Sequence, residues 1–261
     1  MTQTFSARDG TALTYALHGD KGPWLVLCHA LLATSAQWEP QVAALSRHFR
    51  VVCPNTRGHG GSAASAPPYD LTLLAGDLAD LFDHLGIEKA HLLGASMNGL
   101  TVQLFAARYP QKVDRLVLAN TTWRYGPETD ASWEQRVALV RKGGLADVVA
   151  GTLERFLTRP FREQESARVS VLRQAMLAVE PDGFIGCCLA LKGADIGDAH
   201  KAISAPTLLI AGESDIATTP EIMRELKARL DGAKMITLPG AHLCNFETPD
   251  AFTDALVTFL R

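Results

Sequence analysis

Strand-like and helix-like stretches alternate through most of this 261-residue chain, which predicts an α/β fold: a mostly parallel central sheet with helices on both faces. Two further observations refine that reading. The apolar runs at 24–28 (Trp24-Leu25-Val26-Leu27-Cys28) and 113–119 are unbroken, as strands covered on both faces require. From about 120 to 195 the alternation gives way to helical segments alone. Residues 1–120 and 196–261 are therefore expected to form the core, with 121–195 a helical cap inserted between its strands and lying as a lid over a site.

The elements follow in order. Residues 3–7 and 12–17 read as strands joined through Asp9-Gly10, a hairpin signal. After the strand at 24–28 comes a loop from His29, then helical periodicity over 38–48 and a strand at 50–53. A Gly-rich loop at 54–62 precedes an amphipathic helix over 71–85, with Leu71, Leu74, Leu78, Leu81 and Leu85 on one stripe. A short apolar strand at 90–93 turns sharply through Gly94-Ala95-Ser96-Met97-Asn98-Gly99 into a helix over 100–109, and the strand at 113–119 follows. The expected cap helices are 132–142, 145–157, 162–178 and 183–191, separated by Gly143-Gly144, Arg159-Pro160 and Pro181-Asp182-Gly183. Strands at 206–211 and 234–238 and helices at 220–230 and 250–260 complete the core.

Composition narrows the function classes. With 47% hydrophobic residues the chain can bury a large core, and a net charge of −3 leaves no electrostatic footprint for nucleic acid. No apolar run reaches membrane-spanning length, and the first ten residues lack the apolar centre of a secretory signal, so a cytoplasmic location is expected. The five cysteines, Cys28, Cys53, Cys187, Cys188 and Cys244, have no metal-ligand spacing and read as reduced thiols; adjacent cysteines such as Cys187-Cys188 bridge poorly. A small-molecule substrate is the expected partner, and a homo-oligomer is compatible with the chain.

The turn at Ser96 carries the chemistry. In a strand–turn–helix elbow a serine hydroxyl stands exposed at the C-terminal edge of the sheet, and the helix N-terminus behind it favours developing negative charge. Small residues must flank it where strand and helix approach; Gly94 and Gly99 fit, whereas Asn98 breaks the usual G-x-S-x-G and is tolerated as a residue that accepts a left-handed backbone. A serine needs a base, and the base an orienting acid. Among the histidines, His18, His48, His84 and His91 read as structural or exposed, and His200 has no partner signal. His242 lies in the loop directly after the last strand, on the edge where Ser96 emerges. Asp215 occupies the matching loop after the preceding strand and is preferred to Glu213, with Glu247 weaker; the order Ser, Asp, His fits this elbow. The oxyanion donors are expected at the backbone N–H groups of Met97 and Leu31, with Ala30 the alternative to Leu31.

Taken with these residues, the chain resembles the α/β-hydrolase superfamily, and most of all the 3-oxoadipate enol-lactonases and related cofactor-free haloperoxidases and esterases. The likeness runs over nearly the whole length. It is carried by Trp38-Glu39-Pro40-Gln41, Asn55-Thr56-Arg57-Gly58-His59-Gly60, Gly94-Ala95-Ser96-Met97, Gly212-Glu213-Ser214-Asp215 and Ala241-His242-Leu243-Cys244-Asn245-Phe246-Glu247, with Trp133-Glu134-Gln135-Arg136 in the cap. It implies an α/β-hydrolase fold, the Ser96–Asp215–His242 triad, and Leu31 and Met97 as oxyanion positions. Three departures stand out: Asn55 for an Asp, Asn98 for a Gly, and Leu31-Leu32 for a Leu-Gly pair.

The leading reading is a serine hydrolase of a small ester or lactone, of the enol-lactone type met in aromatic-compound catabolism, with no metal or organic cofactor. Alternatives are a C–C bond hydrolase of ring-cleavage products and, from another class, a ligand receptor that keeps the triad without turnover. A substrate carboxylate is expected to meet a cap arginine. Arg136 is the choice because it lies one helical turn from Trp133, which would line the apolar wall.

Overall fold

The computed structural model describes residues 2–261. The strands are β1 (Thr2–Ser6), β2 (Ala12–His18), β3 (Trp24–Cys28), β4 (Arg50–Pro54), β5 (Ala90–Ala95), β6 (Val113–Ala119), β7 (Thr207–Gly212) and β8 (Lys234–Leu238). They form one sheet in the order β1-β2-β4-β3-β5-β6-β7-β8. β1 and β2 make the expected hairpin, β2 meets β4 antiparallel, and every pairing from β4 to β8 is parallel. All residues of β5 and β7 are buried, so the centre of the sheet is covered on both faces. The loops after β3, β5, β7 and β8 therefore gather at one edge.

In the first half of the chain lie α1 (Glu39–Leu45), α2 (Leu71–Leu85) and α3 (Met97–Arg108). Asp70 caps α2 by accepting from the Leu73 N–H at 2.7 Å, Gly86 ends it at φ 62°, and its leucine stripe faces inward. Phe82 of α2 packs on Phe105 of α3 with ring centroids 4.9 Å apart. The helical segment expected at 38–48 is shorter: a 3₁₀ turn at Ser35–Trp38 leads into α1, whose first turn holds Pro40. α3, conversely, starts three residues earlier than periodicity suggests, immediately behind Ser96.

Between β6 and β7 run α4 (Pro127–Gly143), α5 (Ala146–Phe156), α6 (Arg159–Gln164), α7 (Ser166–Leu177) and α8 (Pro181–Leu191). The single helix expected over 162–178 is two, because Glu165 leaves helical geometry at φ −108°, ψ 40°. Arg159-Pro160 opens α6 rather than merely separating two helices, with Thr158 as its N-cap. α9 (Pro220–Ala228), α10 (Cys244–Glu247) and α11 (Pro249–Leu260) complete the chain.

Several contacts tie the α4–α8 segment to the core. The Glu180 N–H donates to Gly58 O at 2.8 Å, and the Leu243 N–H to Phe156 O at 3.0 Å. The Glu247 carboxylate accepts from the Thr158 hydroxyl at 2.5 Å and from the Ala241 N–H at 2.7 Å. Where α8 begins, a Cβ on Gly183 would stand 2.5 Å from the Gly58 Cα, so the two backbones touch only because both residues are glycine. All five cysteines are buried and unbridged. Among the described residues no single helix is long and apolar enough to cross a membrane.

Candidate active site

Ser96 sits between β5 and α3 at φ 53°, ψ −120°, a strained conformation for a residue with a Cβ. What holds it is close packing around the turn. A Cβ on Gly94 would lie 2.4 Å from Asn98 O, and one on Gly99 would lie 2.2 Å from Thr121 Oγ1. The Thr121 hydroxyl in turn donates to Ser96 O at 2.6 Å. The tight positions are therefore 94 and 99. Asn98 is not left-handed: it lies in the first turn of α3, where its backbone carbonyl is the group Gly94 approaches, while its side chain leaves the turn and its Nδ2 donates to His29 O at 2.7 Å and Thr56 Oγ1 at 3.0 Å.

The residues singled out from loop position meet. His242 Nδ1 donates to Asp215 Oδ2 at 2.8 Å, and Ser96 Oγ donates to His242 Nε2 at 2.7 Å. Since the ionised carboxylate only accepts, it fixes the tautomer with the proton on Nδ1, leaving Nε2 free to take the serine proton. Phe156 covers the imidazole, ring centroids 4.4 Å apart. Asp215 also accepts from Asn120 Nδ2 and the Thr218 hydroxyl, both at 2.8 Å, and from the Ala217 and Thr218 amides at 2.8 and 3.2 Å. Burial pushes its carboxyl pKa up, but His242 and these donors outweigh burial and hold it at about 2. The rival acids are elsewhere: Glu213 is exposed, and Glu247 is spent on Thr158 and Ala241.

The loop after β3 leaves the Leu31 amide free between two occupied ones. The Ala30 N–H donates to Gln37 Oε1 at 2.9 Å and the Leu32 N–H to His59 Nε2 at 3.3 Å, whereas the Leu31 N–H between them has no acceptor among the described residues. Of the two amides considered as oxyanion donors, Leu31 is the one left unpaired. Met97 is the first residue of α3, where a backbone N–H has no intrahelical partner. Leu32, where the resemblance has glycine, is left-handed at φ 64° and fully buried, so its apolar contacts offset the backbone strain.

Two histidines that sequence reasoning did not weigh hold this loop. His29 donates from Nδ1 to Ala30 O at 2.8 Å and accepts from the Thr56 N–H at 3.0 Å. His59 donates from Nδ1 to Arg57 O at 3.0 Å while accepting from Leu32. Burial, with His59 alongside, lowers His29 to about 3, and burial lowers His59 to about 4. Both are neutral at pH 7, as their donor-and-acceptor pairing requires. His200, assigned no partner from sequence, is buried against Gln103 Oε1 at 2.9 Å. The departure at Asn55 also has a use. Its Oδ1 accepts from the Ser35 N–H at 2.7 Å while its Nδ2 donates to Thr14 and Gly60, which a carboxylate could not do.

Ser96, His242 and Leu31 line a cavity of about 300 Å³ whose far wall is Tyr125, Trp133, Arg136 and Arg155 from the helical segment. Trp133 is buried, stands edge-on to Tyr125 with centroids 5.1 Å apart, and carries the Arg136 guanidinium 4.6 Å over its ring. The described residues hold no cluster of three or more metal-ligating side chains.

Known proteins share this arrangement of the chain. A 3-oxoadipate enol-lactonase from Acinetobacter baylyi is 33% identical over 99% of this chain and 96% of its own length. The solved enol-lactonase of Burkholderia xenovorans LB400 superposes with a TM-score of 0.95 at 36% identity, covering 99% of both chains. A thermophilic esterase from Thermogutta terrifontis, solved with malate bound, reaches 0.93 at 26% identity over 100% of this chain and 98% of its own. A family model described as alpha/beta hydrolase fold matches residues 23–249. With the parallel sheet, the serine elbow and these matches in hand, the chain belongs to the α/β-hydrolase fold family.

Proposed function

We propose that this protein is a serine hydrolase that cleaves a small carboxylic ester or lactone carrying a free carboxylate, an enol-lactone of aromatic-compound catabolism being the leading candidate. The observation that carries the reading is the hydrogen-bonded chain from Ser96 through His242 to Asp215, opening on a cavity beside a free backbone amide. The enol-lactonase relatives support the substrate class.

In this scheme Ser96 Oγ attacks the carbonyl carbon while His242 Nε2 takes its proton. Asp215 holds the imidazole and stabilises the imidazolium. The oxyanion of the tetrahedral intermediate accepts from the Leu31 and Met97 N–H groups. When the intermediate collapses, the alkoxide or enolate leaves with the proton from His242, and Ser96 keeps the acyl group. A water then attacks the acyl-enzyme, His242 accepting its proton and returning it to Ser96. Each proton transfer uses a side chain of the protein, so the scheme needs no cofactor. Residues 121–195 act as the cap: Trp133 forms the apolar wall, and Arg136 binds the carboxylate.

The test compares kcat/KM for a carboxylated enol-lactone and its neutral methyl ester in wild type and Arg136→Ala. Wild type should prefer the carboxylated lactone, and Arg136→Ala should lose roughly 10- to 100-fold of that preference, the scale of one hydrogen bond to a charged group. A wild type that prefers the neutral ester refutes the carboxylate. An unchanged preference in Arg136→Ala takes Arg136 out of the scheme.

A further inference from the structure

The cavity wall contributed by the helical segment is rich in donors and poor in acceptors. Arg136 of α4 and Arg155 of α5 both line the cavity and both are half-buried. Neither takes part in any ion pair of the described residues, although arginines elsewhere pair with Asp77, Asp80, Glu163 and Glu221. Trp133 adds a buried indole N–H with no acceptor. The one acidic residue lining the cavity, Glu128, is exposed and pairs with neither arginine. A half-buried cation without a countercharge is unfavourable, and two in one cavity are more so, because they also repel. Burial lowers both guanidinium pKa values; Arg136 lowers Arg155 further, and only the neutral Cys188 thiol and Tyr125 phenol work against burial at Arg136.

We propose that Arg136 and Arg155 form one anion subsite that clamps a single carboxylate of the substrate, and that Arg155 is a specificity-determining residue alongside Arg136. This rests on the hydrolase reading above and sharpens its substrate class. The carboxylate lies between two guanidinium groups, each offering paired N–H donors in a plane. It cancels their repulsion on arrival, and it sits within a short chain of the carbonyl that Ser96 attacks. The substrate is then a compact monocarboxylate rather than a long-chain ester, consistent with a cavity of about 300 Å³.

Glutarate, monomethyl glutarate and dimethyl glutarate share one skeleton and carry two, one and no carboxylates. Their binding is measured by calorimetry in a Ser96→Ala background, where no ester is consumed. Monomethyl glutarate should bind at least about tenfold more tightly than dimethyl glutarate. Arg155→Met and Arg136→Met should each abolish most of that margin and leave dimethyl glutarate binding as it was. Arg155→Lys, which keeps the charge but not the fork, should keep part of it. Because the two groups hold one anion, the double variant should lose less than the sum of the single losses. Melting temperatures confirm that each variant is folded, and Arg155→Lys serves if Arg155→Met is not. A full monocarboxylate margin in Arg155→Met overturns the proposal. So does glutarate binding far more tightly than its monoester with additive losses, since each arginine would then hold its own carboxylate. Hydrolysis of monomethyl glutarate by the wild type and by Arg155→Met separates the two readings. Turnover with no effect of Arg155 leaves the hydrolase standing without the clamp, whereas the expected binding with no turnover of any ester leaves the clamp and removes the hydrolase.

Discussion

The two walls of the cavity are built on opposite principles. On the core side, the polar groups other than the Leu31 and Met97 amides are saturated. Asp215 accepts from His242, Asn120, Thr218 and two backbone amides, and the amides flanking Leu31 are taken by Gln37 and His59. On the helical side, Trp133 has a buried N–H without an acceptor, and Arg136 and Arg155 have no countercharge among the described residues. A saturated wall has its dipoles in place before substrate arrives, the condition for stabilising a transition state without reorganisation. An unsaturated wall gains its partners only with the ligand, the condition for selecting one. In the proposed scheme, chemistry and selection are thus divided between core and insert.

The largest effect should come from breaking the saturated wall at its centre. Ser96→Ala and His242→Ala should remove nearly all turnover, and Asp215→Asn should cost on the order of 10⁴ in kcat, the scale seen when the orienting acid of such a triad is neutralised. Ser96→Ala should leave the circular dichroism unchanged, because only a hydroxyl is removed. Retained turnover in Ser96→Ala would sink the mechanism, and normal turnover in Asp215→Asn would remove Asp215 from it. Asp215 also links the site to pH. Its folded pKa of about 2 lies below the ordinary 3.8, so its contribution to stability is full above about pH 4 and disappears as pH falls toward 2. Asp215→Asn should therefore flatten the acid limb of the melting-temperature profile.

Next in size is a break behind the same wall. The Arg57 side chain is fully buried, with Nη2 2.5 Å from Asp77, Nη1 3.0 Å from Asp9, and Tyr69 beneath the guanidinium. Its carbonyl holds His59, which holds Leu32 beside the free amide. Arg57→Ala leaves Asp77 without its cation in the interior and should destabilise the fold by about 3–5 kcal/mol in urea titration. Loss confined to about 1 kcal/mol would mean that the pair is screened like a surface bridge.

The two walls were not equally legible in the sequence. Ser96, Asp215 and His242 could be read because each directly follows a strand of a parallel sheet, and such positions share an edge whatever the side chains around them. Leu31 could be preferred but not separated from Ala30, since the difference lies in which amides Gln37 and His59 occupy. His29 and His59 gave no signal: a side chain bonding to backbone tens of residues away leaves no period to detect. The break at Glu165 was hidden for a related reason, because no Gly or Pro marks it. On the helical wall, Arg136 was reachable through its spacing from Trp133. Arg155 was one charge among many, and only tertiary packing turns it toward the cavity.

The smallest expected effect sharpens the comparison at the seam between elbow and loop. The departure at Asn98 was expected to matter as a size problem in the turn, yet its side chain leaves the turn and joins α3 to the backbone of His29 and the hydroxyl of Thr56. It belongs to the saturated wall and acts through the loop that carries Leu31, without touching the reacting atoms. Asn98→Ala removes one buried and one half-buried hydrogen bond and leaves His29 O without that donor, a loss of about 1–2 kcal/mol in stability. Asn98→Gly removes the same bonds and adds about 0.5–1 kcal/mol of backbone cost inside a helix. Both variants should lower kcat by about three- to tenfold, with KM nearly unchanged, because the Leu31 amide is loosened rather than lost. Restoring the family's glycine should therefore slow this enzyme. A fall beyond about a hundredfold, the scale of deleting an oxyanion donor, would place Asn98 among the groups that meet the substrate. Unchanged kcat in both would show that His29, His59 and Gln37 hold the loop without it.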